Sequence, residues 1–153
     1  MSQTATVPNT AIVILAAGKG TRMRSAVPKV LHEIAGRPML GHVIAASLEA
    51  GMSRLCLVTA PDQNNVRDYA LIEAPDISNC IQENQLGTGD AVRAAMSACE
   101  GVARVVIMFG DTPLMRPDIL RQLAASEADV CVLGFEPEDA AAYGRVIMEA
   151  DTP

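Results

Sequence analysis

Tryptophan is absent from this chain, and tyrosine and phenylalanine occur twice each, so aromatics make up only 3% of its 153 residues. A core must then be assembled from Val, Ile, Leu, Met and Ala. Basic residues are outnumbered as well: 12 Lys and Arg against 18 Asp and Glu leave a formal charge of −6 and a pI near 4.8. Such a chain does not hold duplex nucleic acid through its overall field, and an anionic ligand has to be caught by a local cluster. No segment approaches the roughly 18 continuous apolar residues of a membrane span. The opening MSQTATVPNT has neither a basic residue nor an apolar stretch, so it does not read as a secretory signal. Cys56, Cys80, Cys99 and Cys131 form no C-x-x-C pair, and three of them sit in apolar runs. That pattern points to buried free thiols in a reducing compartment, and the protein is expected in the cytoplasm.

What is present fits one ordinary globular domain, at 50% hydrophobic and 20% charged residues. A chain of this size buries about 68–70% of the surface its unfolded form exposes. Neither an internal repeat nor a low-complexity linker occurs. After a polar tail over residues 1–10, short apolar runs predict strands at Ala11–Leu15, Arg54–Thr59, Ile77–Gln82, Val105–Phe109 and Val130–Leu133. Each is too short for a helix and apolar on both faces, as strands buried in a parallel sheet must be. Helical spacing between them predicts helices at Met39–Ala50, Asn65–Leu71, Gly89–Cys99 and Pro117–Ala125. The alternation implies an α/β, Rossmann-like fold: a mostly parallel open sheet with helices on both faces. Ligands of such sheets bind outside the carboxyl ends of strands.

The first strand runs into Leu15-Ala16-Ala17-Gly18-Lys19-Gly20-Thr21-Arg22-Met23-Arg24, followed shortly by Pro28-Lys29. Small residues and two glycines let backbone amides turn toward phosphate oxygens that side chains would otherwise block. Lys19, Arg22, Arg24 and Lys29 crowd into this stretch of an acidic chain, which suits the capture of a polyanion. The alternative is a solvated basic loop. Two other glycine motifs fit poorly. The dinucleotide fingerprint G-x-G-x-x-G/A meets Met23 at its third position, Pro28 interrupts the helix it should open, and the P-loop pattern G-x-x-x-x-G-K-[ST] is absent.

The string LAAGKGTRMRSAVPKVLHEIAGRPML resembles the signature loop of the sugar nucleotidyltransferases. Its PKVLH and AGRPML portions are most similar to the bifunctional N-acetylglucosamine-1-phosphate uridylyltransferases that also acetylate glucosamine-1-phosphate. The resemblance implies that Leu15, Ala16, Ala17 and Gly18 hold the triphosphate together with Arg22, and that Lys29 reaches the reacting phosphate. Arginine suits the first role because its fork grips two oxygens, and lysine the second as a compact charge.

Two further segments fall at strand ends. Gln82-Glu83-Asn84-Gln85-Leu86-Gly87-Thr88-Gly89-Asp90 offers free amides and a glutamine carboxamide that could read a uracil edge. It could equally be a strand-to-helix turn with Thr88 as N-cap. Likeness to the family's Q-x-x-x-LGTG segment implies nucleotide contacts at Gln82, Gly87 and Thr88. Phe109-Gly110-Asp111-Thr112-Pro113-Leu114 sets a carboxylate after an apolar strand, either as a Mg²⁺ ligand or as a cap of the turn before Pro113. The resemblance, here to a GD-x-PL metal site, implies nucleotide contacts at Phe109, Gly110 and Asp111, with Asp111 the metal ligand. Tyr143-Gly144-Arg145-Val146 is similar to the family's next landmark and implies that Gly144 lies against the sugar nucleotide. His32 and His42 have no partner pattern and are expected to pack or face solvent.

The activity implied is transfer of UMP from UTP to N-acetylglucosamine-1-phosphate, giving UDP-N-acetylglucosamine and pyrophosphate, with Mg²⁺ as cofactor and Arg22 and Lys29 as catalytic residues. The product is a peptidoglycan precursor, and no nucleic acid or membrane partner is implied. The likeness runs from about Ala11 to Met148, whereas the family's uridylyltransferase domain continues further, so residues 11–153 are expected to form part of that domain. Sugar-reading residues, a second metal ligand and the β-helical acetyltransferase half have no counterpart here. The isolated chain is therefore expected to bind uridine nucleotide weakly and turn over little. A non-catalytic uridine-nucleotide module, or a related transferase with another sugar or base, are the rival readings.

Overall fold

The computed structural model describes residues 8–18, 20, 23–52, 54–141 and 143–147. Four parallel strands form its sheet: β1 (Thr10–Leu15), β4 (Arg54–Thr59), β5 (Ser78–Ile81) and β6 (Arg104–Phe109). Between β1 and β4 lie a two-residue-per-strand hairpin, β2 (Glu33–Ile34) and β3 (Arg37–Pro38), and then helix α1 (Met39–Glu49). Helices α2 (Asn64–Glu73), α3 (Thr88–Ala95) and α4 (Pro117–Ala125) follow β4, β5 and β6 in turn.

Strand order is β5-β4-β1-β6. The chain moves outward from β1 to β4 to β5, then returns to the other flank of β1 with β6. All pairings are parallel, with Ile14 opposite Leu57 on one side and Met108 on the other. A right-handed crossover running back from β5 to β6 must lie on the face opposite those running outward from β1 to β4 and β5. Accordingly Ile12, Ile14, Leu55 and Leu57 meet α1, α2 and α4 through Leu40, Val43, Ile44, Val66, Ala70, Leu120 and Ala124. The alternate residues Ala11, Val13, Leu15, Cys56 and Val58 meet α3 through Ala91 and Ala95. The fold is thus the expected α/β one, with helices on both faces and a core almost free of aromatics.

Three of the expected strands and all four helices agree with the structure to within a few residues, and the expected strand Ile77–Gln82 is shortened to Ser78–Ile81 in β5. Val130–Leu133 is not a strand: the sheet ends at β6, and Val130 and Val132 are 79% and 70% exposed. An apolar run becomes a strand only when a neighbour completes its hydrogen-bond ladder, and this run lies along the groove beside β6 and α4 without pairing. Hairpin β2–β3 was not expected. It turns through Ala35 (φ 52°) and Gly36 (φ 76°), the two successive left-handed residues of a tight hairpin turn. Arg37 then pairs with Glu73, which also accepts from the Tyr69 hydroxyl at 2.6 Å, fixing the hairpin to α2.

Cys56, Cys80 and Cys99 are buried and free, with Cys56 and Cys99 sulfurs 3.9 Å apart, while Cys131 is exposed. Burial pushes the Cys56 thiol up to about 12, so no thiolate forms there near neutrality. In the native chain a thiol reagent is expected to label Cys131 alone, the other three reacting only in denaturant. Rapid native labelling of more than one thiol, read by mass spectrometry, would contradict this packing.

Candidate nucleotide site

The strand order reverses between β1 and β6, and in open α/β sheets the crevice at that reversal is where ligands bind. The two loops leaving these carboxyl ends are tied together by Gly110 N–H, which donates to Leu15 O at 2.9 Å, while Ala16 N–H, donating to Val58 O at 2.8 Å, holds the first of them to β4. Glycine is needed at 110 for space, since a Cβ there would stand 3.1 Å from Val30 Cγ1 and 3.4 Å from Leu15 O. Gly110→Ala is expected to cost about 1–3 kcal/mol through overpacking. Calorimetry would detect it as a lowered Tm, and an unchanged Tm would show that Val30 yields freely.

A cleft of about 490 Å³ opens at this point. Leu15, Ala16, Ala17 and Gly18 line its floor, Lys29, Phe109 and Asp111 one side, and Gln82, Gly87 and Thr88 the other. Ten of the residues singled out from sequence therefore meet in one place. Gly110 stands behind them as a packing element. Gly144 does not join them: it is exposed, nothing lies within 4 Å of where its Cβ would be, and its segment follows the unpaired Val130–Leu133 stretch. Arg22 falls outside the described residues.

Lys29 opens a single 3-10 turn, Lys29–Leu31, whose Val30 is buried in the core and anchors it. Gly20 (φ 57°) folds the loop back so closely that a Cβ would meet Lys29 Cβ at 3.1 Å. Held this way, the Lys29 ammonium forms an ion pair with the Asp111 carboxylate, both partly exposed. His32 and His42 stay outside the cleft lining; His42 Nε2 bonds Ile34 O at 2.8 Å.

On the opposite wall, Gly87 (φ 115°) is the N-cap of α3, and Thr88 is its first helical residue rather than its cap. Gln82, only 4% exposed, donates from Nε2 to Gly87 O and to Asp90 Oδ2, each at 2.9 Å. Asp90 also accepts from Leu86 N–H at 3.4 Å and from Arg93 at 2.6 Å. The Gln82 amide and then Arg93 hold its carboxyl below the usual carboxylate range. Gln85 Nε2 donates to Ala17 O at 3.2 Å, linking this wall to the glycine loop. Sequence reasoning missed Gln85 and Asp90. The available signal for Asp90 was an acid at the third position of a helix, where it reaches back to amides before the N-cap.

Fold and cleft define a nucleotide-binding type of α/β domain, with an open parallel sheet and a glycine-rich loop at its topological switch point. The chain belongs to the MobA-like NTP transferase domain family, whose model matches residues 12–147. It is similar to the bifunctional protein GlmU of Parvibaculum lavamentivorans, 48% identical over 143 residues, covering 91% of this chain and 32% of that protein. GlmU of Ruegeria pomeroyi is 48% identical over 147 residues, covering 94% and 33%. The chain thus spans about a third of the length of the curated relatives it matches. Among solved structures, a UDP-glucose pyrophosphorylase complexed with UDP-glucose aligns with TM-score 0.62 at 22% identity, over 75% of this chain and 52% of that one. At that identity the likeness concerns the fold alone. Among the described residues no helix is long and apolar enough to cross a membrane.

Proposed function

We propose that the cleft binds UTP with a divalent cation, and that the chain carries the nucleotide-binding part of a uridylyltransferase acting on N-acetylglucosamine-1-phosphate. The observation that carries this reading is the Lys29–Asp111 ion pair at the mouth of the glycine loop, facing the Gln82–Thr88 wall across one cleft. A cation for phosphate and a carboxylate for metal neutralise one another until a metal-bound polyanion separates them. Identity of 43–48% to proteins named GlmU supports the same substrates.

The residues suit magnesium. Among the described residues no three His, Cys, Asp or Glu gather into a closed metal cage. Mg²⁺ asks for no such cage, since it binds through one or two carboxylates plus substrate phosphates and water. Asp111 would hold it. When bound, it would supply positive charge that offsets that of the phosphates. A solved structure of similar fold, Rv0371C of Mycobacterium tuberculosis, is a complex with manganese, which supports divalent metal use.

The chain's own groups account for the rest. The backbone turn of Leu15–Gly18 cradles the triphosphate, with Arg22 assigned to the leaving pyrophosphate and Lys29 to the α-phosphate. A sugar-phosphate oxygen forms the new bond to the α-phosphorus as the bond to the pyrophosphate oxygen breaks. Because a phosphate monoester is already ionised near neutrality, no general base is required, and alignment of two anions is the main task. Lys29 offsets the charge that their approach builds up. The reading agrees with an enzyme of the cytoplasm that supplies cell-wall precursors.

Titration calorimetry of the chain with UTP, CTP, ATP and GTP in Mg²⁺ tests the reading, together with pyrophosphate release when N-acetylglucosamine-1-phosphate is added. Saturable binding that favours UTP is expected. Equal or absent binding of all four nucleotides would overturn it.

A further inference from the structure

Gln82 is placed to read a base, yet a carboxamide is ambiguous because it can turn over and exchange donor for acceptor. In this structure that freedom is gone. Its nitrogen lies 2.9 Å from Gly87 O and 2.9 Å from Asp90 Oδ2. A carbonyl and an ionised carboxylate are both acceptors only, so the reversed amide would set an oxygen against two acceptors. The nitrogen has two N–H groups, and both are now used. What the side chain has left is its carbonyl oxygen, on a residue that lines the cleft and is 4% exposed. Such an acceptor calls for a donor.

We propose that Asp90 is a positioning residue that locks the Gln82 carboxamide as an acceptor, so that the cleft selects a base with a ring N–H, uracil, over one with a bare ring nitrogen, cytosine. The inference rests on the uridine-nucleotide reading above and adds how that choice is made. Uracil and cytosine have the same size, so the shape of the cleft does not separate them. At ring position 3 uracil carries N–H, while cytosine carries a lone pair that would face the fixed Gln82 oxygen. An amide free to turn would accept either. Asp90 is suited to the task because its second oxygen is tied to Arg93 and its first also receives Leu86 N–H, so it is itself held in place.

The test measures Kd for UTP and for CTP, each with Mg²⁺, on the same preparation of the chain and of three variants. The parent is expected to prefer UTP by about ten- to hundredfold, the worth of one well-made hydrogen bond against a lone-pair clash. In Asp90→Ala only Gly87 O opposes reversal of the amide, and the preference should shrink by about tenfold. Asp90→Asn has a carboxamide that can itself turn over, with Arg93 drawing its oxygen away from Gln82, and is expected to lose part of the preference. Arg93→Ala keeps the Asp90 acceptor and should retain the preference. A merely structural role for Asp90, as a brace of the α3 amino end, would lower Tm and weaken both nucleotides alike with an unchanged ratio. That result in Asp90→Ala would overturn the positioning role and leave the uridine reading standing. A parent that binds both nucleotides equally overturns the base selection but not the triphosphate cleft, and a parent that binds neither overturns both.

Discussion

Lys29→Ala is expected to weaken UTP binding in Mg²⁺ about tenfold. A hydrogen bond to a charged group contributes about 1.5–3 kcal/mol, and the lower end applies because the ammonium is partly exposed and screened. In a form that turns over, loss of this cation should also lower kcat by about 10²–10³, the scale seen when one preorganised electrostatic stabiliser is removed. Raising ionic strength should narrow the gap between parent and variant, since part of what is lost is Coulombic. Asp111→Asn makes the opposite prediction in part. With chelator present it removes a negative charge and frees Lys29, so UTP should bind at least as tightly as to the parent. The gain on adding Mg²⁺ should then be lost. Equal Mg²⁺ responses in parent and Asp111→Asn would remove Asp111 from the metal site.

The second large effect concerns the sheet. Leu57 is fully buried at the centre of β4, paired with Ile14 on one side and Asn79 on the other, and packs into the face covered by α1, α2 and α4. Leu57→Ala removes buried methyl groups and leaves a cavity, which costs about 2–5 kcal/mol. Against a total stability of about 5–15 kcal/mol that is a large share, and Tm should fall by roughly 10 °C. Ile72→Ala is the control: Ile72 lies on α2 and is 80% exposed, so its loss should stay within about 0.5 kcal/mol. Similar denaturation midpoints for the two variants would contradict the burial described here.

Much of this architecture could be read from local chemistry. β1 and β4 are apolar on both faces because helices cover both, and that leaves an unmistakable run of Val, Ile and Leu. β5 is an edge strand, so Ser78 and Asn79 face water and the readable segment shrinks toward Cys80. Val130–Leu133 carries the same local signal as β1 but no neighbour completes its ladder, and no property of those four residues reveals that. The hairpin was hidden by its length, two residues per strand, although Ala35-Gly36 marked its turn.

The cleft follows the same division. Gly18, Lys29, Gln82, Gly87 and Asp111 stood out because glycine, cation, amide and carboxylate at strand ends have few other uses, and the family resemblance gave them roles. Asp90 did not, because its importance lies in a bond to another side chain eight residues away. Gly144 was expected beside the nucleotide from resemblance alone, with no packing argument of its own, and in the structure it stands apart.

Substituting Mn²⁺ for Mg²⁺ tests the central claim most directly, because a paramagnetic ion broadens the NMR signals of amides near it. With UTP present, the account predicts selective loss of signal at Ala16–Gly18, Lys29 and Gly110–Asp111, with Gly144–Val146 and α2 unaffected, and loss of the effect in Asp111→Asn. Broadening centred elsewhere, or broadening that persists without Asp111, would contradict it.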